Sequence, residues 1–140
     1  MRLRDCTDEK LIMKDESKKM LAQPELDSAE KFILSAKKNL GINEWEVAEM
    51  LAYMGCFHAA RALLYSRGYN EKTHACLFAA VMEFFQFEEE ISRYAKIGNQ
   101  LRVKRHGIAY AGATTTKDEA EYFVSKAREF LEIAGKALEK

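Results

Sequence analysis

Residues 43–68 read NEWEVAEMLAYMGCFHAARALLYSRG, the most apolar continuous segment of the chain, and the fold turns on how they are read. Asn43 can accept a hydrogen bond from an early helical N–H, with Glu46 as the returning partner three residues on. Gly68 stands where a helix end favours a left-handed residue. Between these signals Trp45, Val47, Leu51, Tyr53, Met54, Phe57, Leu63 and Leu64 cover more than one helical face. That pattern predicts a central helix with neighbours on several sides. Ala48, Ala52, Gly55, Ala59 and Ala62 let those neighbours come close. Glu44, Glu46, Glu49, His58, Arg61 and Arg67 interrupt the apolar run, so it is not a membrane span.

On the N-terminal side, Pro24 suits the first turn of a helix, and Ala29, Phe32, Ile33, Ala36 and Leu40 repeat at helical spacing up to Gly41. The connection to the central helix is very short, which makes the two antiparallel neighbours. Residues 1–23 are weakly patterned and read as a short helical arm. On the C-terminal side, the polar connection YNEKTH leads to Thr73, a cap for a helix from Ala75 to Phe85 that is apolar nearly all round. The fourth helix of the bundle runs from near Glu88 to about His106, with Ile91, Tyr94, Ile97 and Leu101 as its core stripe. Gly107 ends it, and Tyr110 to Thr115 form a loop. Thr116 and Glu119 make a capping box for the last helix, whose stripe is Ala120, Phe123, Val124, Ala127, Phe130, Leu131, Ala134 and Leu138. No stretch has the period of a strand. The chain therefore reads as all-α, an up-and-down four-helix bundle over residues 24–140 with a short helix in the arm.

With 140 residues and 48% hydrophobic content, one domain with a real core is expected. A net charge of zero argues against a strongly basic nucleic-acid binder. The N-terminus, MRLRDCTDEK, lacks the apolar region of a secretory leader. Cys6, Cys56 and Cys76 are odd in number and have no metal-ligand spacing, so they read as reduced thiols in a cytoplasmic protein. The even balance hides one asymmetry. From Ile91 through Lys117 there is no Asp or Glu, while Arg93, Lys96, Arg102, Lys104, Arg105 and His106 fall in that stretch. Such a patch is either a phosphate contact or a solvated face neutralised by acids nearby, Glu88 to Glu90 among them. Arg102, Arg105 and His106 are related by i+3 and i+4 and share one side of the helix, whereas Lys104 points elsewhere.

Most familiar reaction chemistry is missing. There is no Gly-rich phosphate loop, HExxH, CxxC or GxSxG. The one Glu-x-x-His spacing, Glu71 to His74, falls in a connection, so neither a metal site nor a cofactor is expected. His74 reads as a capping or packing residue. His58 reads as core packing, satisfied by Arg61 or a backbone carbonyl.

Residues 48–85, AEMLAYMGCFHAARALLYSRGYNEKTHACLFAAVMEFF, resemble the HEPN domain in its small single-domain archaeal and bacterial form. The features that carry the likeness are Ala52-Tyr53, the run Phe57 to Leu64 (FHAARALL), Gly68 and Lys72-Thr73-His74. Residues 101–110, LRVKRHGIAY, resemble the Arg-polar segment at the end of the family's fourth helix, and the likeness extends over about residues 25–138. The resemblance implies a four-helix bundle, usually a two-fold homodimer whose fourth-helix arginines meet at a cleft. It implies a metal-independent ribonuclease, often a toxin paired with a minimal nucleotidyltransferase antitoxin. The family signature is an Arg, a polar residue and then a His, with four to six residues between the Arg and the His. Here the polar residue after Arg105 is His106, but the histidine place holds Tyr110, a poor base with an ordinary pKa of about 10. A shifted register pairs Arg102 with His106 at i+4. The resemblance thus implies Arg105, His106, Arg102 and Tyr110 as the catalytic set and Arg102, Lys104 and Arg105 as phosphate-binding residues. The alternative it leaves open is a non-catalytic homodimer that binds the nucleotidyltransferase or a nucleotide.

Overall fold

In chain order the computed structural model contains α1 (Leu3–Asp8), β1 (Ile12–Lys14), a 3-10 segment (Glu16–Leu21), α2 (Ala22–Gly41), α3 (Trp45–Ser66), β2 (Tyr69–Glu71), α4 (His74–Phe84), α5 (Glu89–Ala111) and α6 (Lys117–Leu138). It describes residues 2–111 and 114–139, and for 107–111 the backbone alone. The long helices α2, α3, α5 and α6 form the expected all-α four-helix bundle. α4 bridges α3 and α5, and α1 is the short helix of the arm.

α3 is central because it is apolar over more than one face, with only a narrow exposed strip at Glu46 and Met50. It packs against α2, α4, α5 and α6, and Ala48, Ala52, Ala59, Ala60, Ala62, Leu63 and Leu64 are fully buried. The small residues set the spacing, as expected. A Cβ added at Gly55 would lie 2.6 Å from Ile33 Cγ1 on α2. α6 is amphipathic and lays Val124, Ala127, Phe130 and Ala134 into the core.

Several local signals work differently from the expectation. Asn43 does not cap α3. It adopts φ +60° and turns the chain, while its N–H donates to Leu40 O at 3.1 Å and that of Glu44 to Asn39 O at 2.9 Å. Asparagine tolerates this left-handed region better than most residues. Gly68 takes φ +77° just past α3, as expected. The Thr73 hydroxyl accepts from the Cys76 N–H at 3.1 Å, so α4 starts at His74, one residue earlier than expected. α5 continues through Gly107 to Ala111, which makes position 110 helical rather than part of a loop. A single helical glycine costs only about 1 kcal/mol, and the tertiary context overrides it. Half of the second capping box forms. Thr116 Oγ1 accepts from the Glu119 N–H at 3.2 Å, but the Glu119 carboxylate turns to Lys104 instead of back to the cap.

The arm departs most from its sequence pattern. β1 pairs antiparallel with β2, Ile12 opposite Glu71 and Lys14 opposite Tyr69, inside what the sequence marks as an irregular polar connection. Three-residue strands are too short to show a period of two. Cys6 and Cys76 form a disulfide between α1 and α4, with Cα atoms 5.7 Å apart, which overturns the reading of three reduced thiols. The odd count is explained by Cys56, which is buried and behaves as a small apolar residue; burial pushes its thiol up to about 12. Among the described residues no helix is long and apolar enough to cross a membrane.

Candidate active site

Helix α5 packs tightly against two neighbours at Gly98. A Cβ there would lie 2.8 Å from Phe78 Cε1 on α4 and 3.4 Å from Cys56 Cβ on α3. α5 runs antiparallel to α3, since Gly98 meets Cys56 and Lys104 meets Glu49. One turn along α5 from Gly98 is Arg102. One turn back along α3 from Cys56 is Tyr53, and one turn back along α4 from Phe78 is His74. These three elements therefore bring Tyr53, His74 and Arg102 to one level.

The contacts at that level are specific. Tyr53 Oη and His74 Nδ1 are 2.6 Å apart, and the His74 ring stacks on Phe57 with centroids 4.1 Å apart. Partial burial among these rings lowers the His74 pKa below the ordinary 6.5. Glu71 opposes that shift, and Arg61, Arg102 and His58 add to it. Burial pushes the Tyr53 phenol up to about 12, even though the charges of Arg102 and Arg105 act in the other direction. The site thus holds a neutral imidazole and a protonated phenol at pH 7, next to permanent positive charge.

A second set of side chains fixes the walls. Arg61 donates to Glu71 Oε2 from Nη2 at 2.6 Å and from Nε at 3.1 Å, and its guanidinium sits 4.5 Å from the Phe57 ring centroid. His58 Nδ1 lies 2.5 Å from Glu25 Oε2, and the ring stacks on Phe32. The partner of His58 is therefore a carboxylate on α2, not Arg61 or a backbone carbonyl. Glu71 is committed to Arg61 rather than paired with His74 in a metal motif. Among the described residues no three His, Cys, Asp or Glu side chains cluster as metal ligands.

The sequence-derived residues divide into two groups. Arg102 and Arg105 are half-buried on the side of α5 that acts on Tyr53, and Arg102 Nε donates to Asn99 Oδ1 at 2.9 Å. His106 is exposed on the same helix, one turn after Arg102. The side chain of Tyr110 lies outside the described residues. Lys104 faces another way, as its helical angle predicts, and its ammonium is bound by Glu49, by Thr115 at 2.8 Å and by Glu119 at 2.7 Å. Two carboxylates already answer that one charge, so a phosphate would have to displace them. Tyr53 and His74 carry the resemblance in the sequence, where His74 reads as a capping or packing residue and neither is marked for the site; the structure joins them by a hydrogen bond. The Tyr-rich helix and the K-x-H run are visible in the sequence, but their meeting depends on the packing of three helices.

Residues 23–138 match the HEPN domain. The chain belongs to the HEPN domain family. No curated protein matches it. The matched region begins at α2, so α1, β1 and the 3-10 segment are additions that pack onto the HEPN bundle, while all the site residues named above fall inside it.

Proposed function

We propose that this HEPN protein is a metal-independent endoribonuclease, a toxin-like component acting on RNA as a two-fold homodimer beside a minimal nucleotidyltransferase antitoxin. The observation that supports it is the presentation of Arg102 and Arg105, from a stretch without acids, toward a hydrogen-bonded Tyr53–His74 pair. Phosphodiester cleavage needs positive charge fixed where the phosphate gains negative charge, and a group that moves a proton near neutrality. The arginines supply the first without a metal ion. His106 and Tyr110 follow them on the same helix as the sequence-derived candidates for the second. An RNA substrate goes with a cytoplasmic location; the Cys6–Cys76 bridge pulls the other way, since disulfides are uncommon in reducing compartments.

The test is RNA cleavage by the purified protein in EDTA beside Arg102→Ala and Arg105→Ala. Removal of a charge-stabilising donor is expected to slow cleavage about 100-fold or more in each variant. Unchanged cleavage in both would overturn the reading. Tyr110 in the histidine place favours the second reading, a non-catalytic HEPN homodimer that binds the nucleotidyltransferase or a nucleotide. That reading expects no cleavage and a dimer that retains its partner.

A further inference from the structure

His74 is the histidine that the chemistry of this site can use. Its Nδ1 is held by Tyr53 Oη at 2.6 Å, one ring face is stacked on Phe57 at 4.1 Å, and the residue is nevertheless exposed. Among the described residues, the hydrogen-bond partner of the ring is Tyr53 at Nδ1, which leaves Nε2 for a ligand. The pair is rigid on both sides, because Tyr53 belongs to the central helix and His74 opens α4 directly after the Thr73 cap. Arg102, on the third helix, projects its charge onto both members. The role of His74 rests on the ribonuclease reading, in which Tyr110 fills the place after Arg105 that ordinarily holds a histidine. The fold offers an imidazole from another helix instead.

We infer that His74 is the general base of RNA cleavage here, taking the ribose 2′-hydroxyl proton at Nε2 while Tyr53 accepts from Nδ1–H and positions the ring. The 2′ oxygen attacks phosphorus and forms the O2′–P bond, and the O5′–P bond breaks. The 2′ proton passes to His74 Nε2. The departing 5′ oxygen takes a proton from water, and the hydroxide left behind takes the proton back from His74. Products are a 2′,3′-cyclic phosphate and a 5′-hydroxyl, with no net consumption of water. Arg102 faces the charge that builds on the phosphate.

The charged and titratable groups around His74 are Tyr53, Arg61 and His58 on α3, Glu71 on β2 and Arg102 on α5. Partial burial and the cations outweigh Glu71, so the ring loses its proton below pH 6.5 and is ready as a base at neutrality. A base must be unprotonated, so activity rises with pH along an acid limb below 6.5 and levels off above it.

The experiment is steady-state cleavage of a single-stranded RNA in EDTA across pH 4.5–8 by the wild-type protein, His74→Ala and His74→Gln, with unfolding curves for each. The expected result is a loss of about 100-fold or more in kcat/KM in both variants. The acid limb disappears in both, and added imidazole restores part of the rate in His74→Ala. His74→Gln retains a polar partner for Tyr53, which separates lost chemistry from lost packing. NMR of the wild-type protein gives a readout without substitution: the His74 ring resonances shift when a 2′-deoxy-blocked oligonucleotide binds. A wild-type protein that cleaves while His74→Ala stays within about threefold of it and retains the acid limb would overturn this inference and leave the ribonuclease reading standing. A wild-type protein that does not cleave overturns both.

Discussion

Lys104 carries one positive charge to a place that holds two carboxylates. Glu49 is fully buried and Glu119 is half exposed, and one Glu49 oxygen has no hydrogen-bond partner. Taking away the ammonium leaves a buried carboxylate without a counter-charge, which typically costs about 3–5 kcal/mol. Lys104→Ala is therefore expected to lose about 3 kcal/mol in urea unfolding, and Lys104→Met combined with Glu49→Gln to recover most of it. A loss below about 0.5 kcal/mol would mean that the pair is solvated after all. The same residue shows the limit of reading charge from sequence. The resemblance implies Lys104 as a phosphate ligand, and its neutralising partner on α3 is 55 residues away. His58 and its Glu25 are 33 apart, and Tyr53 and His74 are 21 apart. Arg102, Arg105 and His106 are legible together because helical spacing alone relates them.

At the scale of elements, α5 decides whether the site exists. Its contact with α3 and α4 passes through Gly98, where a side chain has no room. Gly98→Ala pushes a methyl group into Phe78 and Cys56, and overpacking of this kind costs about 1–3 kcal/mol. The expected outcome is a lower unfolding midpoint together with a drop in RNA cleavage, since Arg102 sits one turn beyond the contact. A variant with wild-type stability and rate would show that α5 can shift without disturbing the site. The unbroken run of α5 through Gly107 also changes the register of the basic segment: positions 102, 106 and 110 follow one another at i+4 along one helix. The starts of α4 and α6 are readable because Thr73 and Thr116 act within one turn of themselves. Asn43 misleads because the same residue type serves a cap and a left-handed turn, and only the neighbouring geometry chooses between them.

At the scale of the whole molecule, the bundle follows from patterning. Thirteen buried residues along α3 could be satisfied only by neighbours on every side. The attachment of the arm is not legible, because it depends on one strand pair and one disulfide that join segments far apart in the chain. The Cys6–Cys76 bridge closes a separation of 70 residues. In the chain-entropy model a loop of that length stabilises the fold by about 4 kcal/mol. Guanidinium unfolding with and without a reductant is expected to differ by that order, and Cys6→Ser should match the reduced protein. Equal midpoints would show that the bridge adds nothing to global stability and only fastens the arm.

Whether the site cuts RNA without a metal decides what this bundle is for. The most direct measurement is the identity of the ends left after the wild-type protein is incubated with RNA in EDTA. The expected result is a 2′,3′-cyclic phosphate on one fragment and a 5′-hydroxyl on the other, formed at a rate that falls about 100-fold or more in Arg102→Ala. RNA that stays intact with enzyme in excess, or cleavage that stops when metal is chelated, would contradict it.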